Sequence, residues 1–246
     1  MGKLIRLELY KLRTVRAPLV LLALSQLLIV GGVTGLVLSS DTLRTADAAT
    51  DALAHAGLAS MFTLVLGIMA VAGEYRNQTI TDTFLSTPRR SVAIGAKLGA
   101  YAVAGVAFAV VNTVTAVVAT RVWSAIKDVP LDLGEAELWR TILGCAAWNV
   151  AFALVGVGIG ALVRNLTAAI AAALAWIALV EGIVGQLVGD LARWLPFATG
   201  SALGDLPGSF GDLGPVSQLA AAGALAGYAA LFALVAIATT VRRDVT

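Results

Sequence analysis

Charged residues cluster along this chain, and between the clusters run six long apolar stretches: Ala17 to Ser40, Ala52 to Gly73, Leu98 to Thr120, Thr141 to Val163, Asn165 to Gly189 and Leu213 to Val241. A helix rises about 1.5 Å per residue and a hydrocarbon core is about 30 Å thick, so each stretch is long enough to cross a membrane. The stretches are apolar all round, where the strands of a membrane barrel would alternate. Only Glu181 interrupts the fifth, and Gly214 with Pro215 places the start of the last helix near Ser217. The pattern predicts an all-α polytopic membrane protein, one transmembrane domain over 1–246. Its six spans fall at about 17–38, 54–73, 98–120, 141–163, 167–188 and 217–241.

Three segments are left over. Residues 3–16 place Leu4, Ile5, Leu9, Leu12 and Val15 on one helical arc with Lys3, Arg6 and Arg13 opposite, while Glu8 and Arg16 intrude on the apolar side. This predicts an amphipathic helix lying along the membrane interface with its basic face on anionic headgroups; the alternative is a solvated basic tail that fixes topology. Residues 74–90 hold Ile80 and Phe84 at helical spacing, threonines between them and Pro88 as a stop. They read either as a short displayed helix that docks a soluble partner or as a solvated loop. Residues 189–216 are long for a loop, with Trp194 and Phe197 flanking Pro196 and glycines at 200, 204, 208, 211 and 214. Composition allows an aromatic anchor with a flexible gate, or a surface loop.

Composition sharpens the class. Hydrophobic residues make up 59% and charged residues 13%, about half the charge of a soluble domain, and the mean hydropathy is +0.89. A net charge of +2 gives no reason to expect a nucleic-acid partner. Its distribution is more telling: counting Lys and Arg by segment puts 12 on the N-terminal side and 5, Arg44 among them, on the other. Positive residues accumulate inside, so both termini are expected in the cytoplasm. One cysteine, Cys145, and one histidine, His55, leave little for metal or histidine chemistry. The chain has no G-x-x-x-x-G-K-[ST] phosphate loop, no G-x-S-x-G elbow and no H-E-x-x-H helix, so no enzyme site is expected in it.

A basic amphipathic start, two spans, the run Gly73-Glu74-Tyr75-Arg76 followed by Thr79-Ile80, then Thr87-Pro88-Arg89-Arg90 and four further spans together resemble the permease subunits of type-2 ATP-binding-cassette (ABC) exporters. The likeness covers nearly the whole chain. It implies that Glu74, Tyr75, Arg76, Thr79, Ile80, Thr83 and Phe84 form the ATPase-coupling segment, the first five matching the motif that leads into a coupling helix resting in a cleft of the ATPase. The family often has glycine just before the motif threonine, where this chain has Gln78. The resemblance further implies short re-entrant helices in 189–216 and two cytoplasmic ATPases that bind ATP and Mg, with no cofactor in this chain. It also implies a second permease copy or homologous permease, in a bacterial plasma membrane.

Glu181 is the one carboxylate inside a span, and an acidic group there is costly. It is expected either to line or gate a translocation path or to pair with a cation such as Arg140 or Arg121 in a packing salt bridge. Asn112, Thr113, Thr115 and Asn149 are candidates for interhelical hydrogen bonds or for substrate contact, and Phe197 for a gate. The pairs Gly31/Gly35, Gly156/Gly160, Gly185/Gly189 and Gly223/Gly227 have dimer-motif spacing, but 25 glycines would produce several by chance. The leading expectation is an exporter permease moving amphipathic or hydrophobic cargo such as drugs, lipids or peptides, with Phe84 in the docking surface. The rival is an autonomous six-span secondary transporter or membrane scaffold, though an ion carrier would place more ionisable groups at mid-membrane.

Overall fold

The computed structural model describes residues 1–39, 46–128, 134–206 and 216–242. Of the positions discussed above, Ser40, Arg44, Leu213, the glycines at 208, 211 and 214, and Pro215 lie outside the described residues. The described residues are helical, and six helices are long and apolar enough to cross a membrane, the mark of a multi-pass membrane protein.

α1 (Gly2–Thr14) is followed by the first span-length helix, α2 (Ala17–Ser39). The second crossing is built from α3 (Ala46–Leu58) and α4 (Ser60–Arg76), so it starts earlier than the expected 54 and is interrupted only at Ala59. The short α5 (Ile80–Ser86) precedes α6 (Arg90–Lys127), which at 38 residues far exceeds the expected 98–120. α7 (Ala136–Val163) leads to α8 (Leu166–Ala175), a π turn at Trp176–Glu181 and α9 (Gly182–Leu187), which together make the fifth crossing. The four-residue α10 (Gly189–Ala192) and α11 (Pro196–Leu203) come before the last long helix, α12 (Gln218–Arg242). Charges bound the apolar stretches without ending the helices: α6 carries Lys97 in its second turn, and α7 begins five residues before Thr141.

α4 and α7 form the centre. A side chain on Gly67 of α4 would strike the α7 backbone at Ala153 and Val157, and one on Gly156 or Gly160 of α7 would strike the α4 backbone at Leu64 and Ile68. The Gly156/Gly160 spacing therefore serves a contact within the chain, where backbone-to-backbone approach maximises dispersion contact. Trp148 of α7 is fully buried and stacks edge-on to Phe152 and Phe197, in space left by Gly57 of α3 and Gly200 of α11. α2, α8 to α9 and α12 leave most of their surface uncovered. Gly31 and Gly35 of α2 and Gly223 and Gly227 of α12 face open space.

Candidate functional site

The end of the bundle that carries the N-terminus holds the densest polar chemistry. α1 packs Ile5, Leu9 and Leu12 onto a cluster that includes Ala100 and Tyr101 of α6, while Leu7 and Tyr10 stay exposed. Glu8, the intruder on that arc, is explained by what it meets. Lys97 of α6, 1% exposed, lies 3.0 Å from Glu8 Oε2 and 2.7 Å from Glu74 Oε1 at the end of α4. Lys11 closes the figure at 2.8 Å from Glu8 and 3.0 Å from Glu74. Two carboxylates and two ammoniums alternate in a four-membered ring that ties α1, α4 and α6, and Thr83 of α5 donates to the other Glu74 oxygen at 3.1 Å. Alternation is what makes the burial tolerable, because each charge has two opposite neighbours. Burial is the largest influence on Glu8 and pushes its carboxyl up, but Lys97 and Lys11 together outweigh it and hold the group below its ordinary value. Burial likewise pulls the Lys11 ammonium down, and its bonds to Glu8 and Glu74 more than restore it, to above the usual value.

The connection from α4 to α5 is a helix-ending motif. The Thr79 N–H donates to Glu74 O at 3.0 Å and the Gln78 N–H to Tyr75 O at 3.2 Å, the paired bonds of a Schellman cap. Such a cap needs a left-handed residue, and Gln78 adopts φ 58°. Glycine in that place costs least, which gives the departure at Gln78 its physical meaning. Tyr75 carries the Arg164 guanidinium 5.2 Å above its ring.

α5 presents two faces. Ile80 and Phe84 are buried against Ala93 of α6 and Tyr75, and Arg90 stands 5.3 Å over the Phe84 ring. Phe84, expected in the docking surface, turns its ring into the bundle, where it anchors α5. The outward face is formed by Thr81, Asp82, Leu85 and Ser86, with Leu85 75% exposed. Arg76 and Thr79 are also exposed, whereas Glu74 points into the ring.

Between α1 with Pro18 on one side and α4 with α5 on the other, a cleft of about 640 Å3 opens over the charge ring and runs down to Leu66, Met69 and Tyr101. A second, apolar groove of about 660 Å3 lies between α6, α7 and α12, walled mostly by alanine and valine.

Polar groups deep in the bundle are joined in a single line. The Ser25 hydroxyl and the Gln26 amide of α2 donate to Asn112 Oδ1 at 2.9 and 2.8 Å, and Asn112 Nδ2 donates to Asn149 Oδ1 at 3.3 Å. Asn149 Nδ2 continues to the Ala56 carbonyl of α3 at 3.0 Å, and Thr115 donates to Gln26. Asn112 and Asn149 are both fully buried, so they join α2, α6, α7 and α3.

Glu181 is also fully buried, and its partners differ from those expected. Arg121 and Arg140 are exposed, and no cation is bonded to Glu181 among the described residues. Its oxygens accept from the Phe197 N–H at 3.1 and 3.0 Å, the Ala198 N–H at 3.2 Å and Trp176 Nε1 at 3.1 Å. α11 begins Leu195-Pro196: leucine has no capping oxygen, and the proline at the first helical position has no N–H. Glu181 supplies from another element the acceptor and negative charge that this helix start lacks. The π turn makes this possible, bringing Trp176 and Glu181, five residues apart, to the same place. Nearby, Asp205 accepts from Thr141 at 2.6 Å and from Gln218 at 2.8 Å, joining α7 to the start of α12.

The sequence reading missed the ring. Its signal was faint but present: Glu8, Glu74 and Lys97 are charges set among apolar neighbours on the basic side of the chain. Among the described residues, no group of His, Cys, Asp and Glu is placed to hold a metal. Compared with known proteins, the chain matches no family model and no curated sequence.

Proposed function

We propose that the chain is the permease subunit of a type-2 ABC exporter in a bacterial plasma membrane, with both termini cytoplasmic. The observation that carries this reading is α5, a short helix between the second and third span-length helices, bonded inward through Ile80, Phe84 and Thr83 and open outward at Leu85. On this reading α5 is the coupling helix, and Leu85 and Thr81 face the cytoplasmic ATPase, which binds ATP and Mg. α1 is the interfacial helix, its exposed Lys3, Arg6 and Arg13 toward lipid headgroups, and α10 and α11 are re-entrant from the outside.

The arrangement gives nucleotide-driven closure a path. Force on Leu85 passes through Ile80 and Phe84 to α6, and through Thr83 and Glu74 to Lys97, Glu8 and α1, so α1, α4, α5 and α6 move as one unit. A second permease copy or homologous permease packs on the uncovered faces of α2 and α12, where Gly31, Gly35, Gly223 and Gly227 permit close approach. Cargo is amphipathic or hydrophobic, consistent with the apolar groove and the scarcity of buried charge away from the ring.

Recruitment tests this reading. Membranes holding the tagged chain, co-expressed with the ABC ATPase encoded nearest to it, are expected to retain that ATPase through affinity purification, and Leu85→Asp is expected to cut retention about tenfold. Absence of any ATPase from the wild-type complex would overturn the proposal.

A further inference from the structure

The cleft over the charge ring is more than a seam between helices. At about 640 Å3 it lies within the size range of ligand sites. Asn77, Thr79, Thr83 and Ser86 line its mouth, while Val15, Pro18, Leu66 and Met69 form an apolar wall. Leu66 lies ten residues before Arg76 in α4, about 15 Å along the helix axis, so an occupant would reach from the polar boundary to hydrocarbon depth. Such a space suits a molecule with a polar end and an apolar body.

The charge of the polar end follows from how the lining charges are used. Glu8, Glu74 and Asp82 set three negative charges against Lys11 and Lys97. Both ammoniums are held at 3.0 Å or less by two carboxylates each, which leaves them little for an anion. Asp82 has no ion pair among the described residues and stands exposed at the mouth. Among the charged groups that line the cleft, one negative charge is therefore left over, on Asp82 at the solvent-exposed mouth.

We propose that this cleft binds lipophilic cations. The inference rests on the permease reading for its place in transport, where it narrows the cargo class, but the binding itself is a property of this chain alone.

Tetraphenylphosphonium and tetraphenylborate test it, being alike in shape and opposite in charge. Saturable binding of each is measured to the purified full-length chain in phosphatidylcholine nanodiscs, with protein-free nanodiscs subtracted. The phosphonium is expected to bind about tenfold or more tighter than the borate. Asp82→Asn, on an exposed side chain, is expected to remove most of that preference, and Val15→Trp, which fills the cleft, to weaken phosphonium binding about tenfold. Borate binding as tight as phosphonium binding, no saturable binding of either, or indifference to both substitutions would overturn the proposal. No ATPase is present in this measurement. Lost cation preference with ATPase recruitment intact would refute the cleft site alone; failed recruitment with cation binding intact would refute the permease reading alone.

Discussion

Gln78 is a side chain placed where the backbone asks for none. Its φ of 58° crowds Cβ against the carbonyl, a cost of about 1 kcal/mol that glycine would avoid. Gln78→Gly is expected to raise the thermal unfolding midpoint of the purified protein by about 1–2 °C, once part of the gain is returned as unfolded-state entropy; a lowered midpoint would mean that the glutamine side chain contributes something the cap geometry does not contain. Glu8 leads to a pH dependence. Because its folded-state carboxyl is held below the ordinary 4.5, its stabilisation is present above that value and is lost as pH falls through the folded-state value. Lys11 acts at the other limit, contributing below about 10.5 and failing as pH rises past its raised value. Glu8→Gln is expected to lower the unfolding midpoint at pH 7 and to flatten its decline below pH 4.5, whereas parallel wild-type and variant profiles would separate the ring from acid stability. Neither residue's role was legible in the sequence. Gln78 stood out only by comparison with a family pattern, and Glu8 read as a flaw in an amphipathic arc, because a helical wheel cannot show that a lysine 89 residues later reaches back to it.

Among the elements, the long apolar helices were the most legible, since an uncharged stretch over 20 residues long has few alternatives to crossing a membrane. Their ends were not. α6 continues seven residues before Lys97 because no proline lies between Arg90 and Lys97 and the buried ring ties the helix there in spite of Gly95. The π turn left no mark in composition, and the contact it creates joins Glu181 to residues 16 and 17 positions away. That contact carries a prediction for α11. Glu181→Ala leaves the Phe197 and Ala198 N–H groups buried without an acceptor, and the expected cost is about 1–3 kcal/mol, read as a lower unfolding midpoint and as faster hydrogen exchange confined to α11 and its neighbours. Glu181→Gln keeps an oxygen acceptor and is expected to lose less. Equal behaviour of the two variants would show that charge, and not acceptance from the helix start, holds the element. The faces of α5 were half legible: spacing marked Ile80 and Phe84 as a pair, but only packing reveals that the pair faces inward and that Leu85 faces out.

For the whole molecule, two linked systems emerge, the ring that joins α1, α4, α5 and α6 at one end and the Glu181 cap with the Asp205 bonds at the other, with the α4 and α7 glycine contact and the Asn112 to Asn149 line between them. On the permease reading, the ring end holds both the ATPase contact and the cleft, and the contacts between the two systems carry motion from that end to the other. The central claim is that α5 is the point at which an ATPase pushes. Proximity at that point is the most direct test. With Leu85→Cys as a bifunctional cross-linker's anchor, the chain in native membranes is expected to couple covalently to the co-expressed ABC ATPase, while Leu234→Cys on the exposed face of α12 is not. Equal cross-linking from both positions, or none from Leu85→Cys while the ATPase is retained on the membrane, would contradict the account.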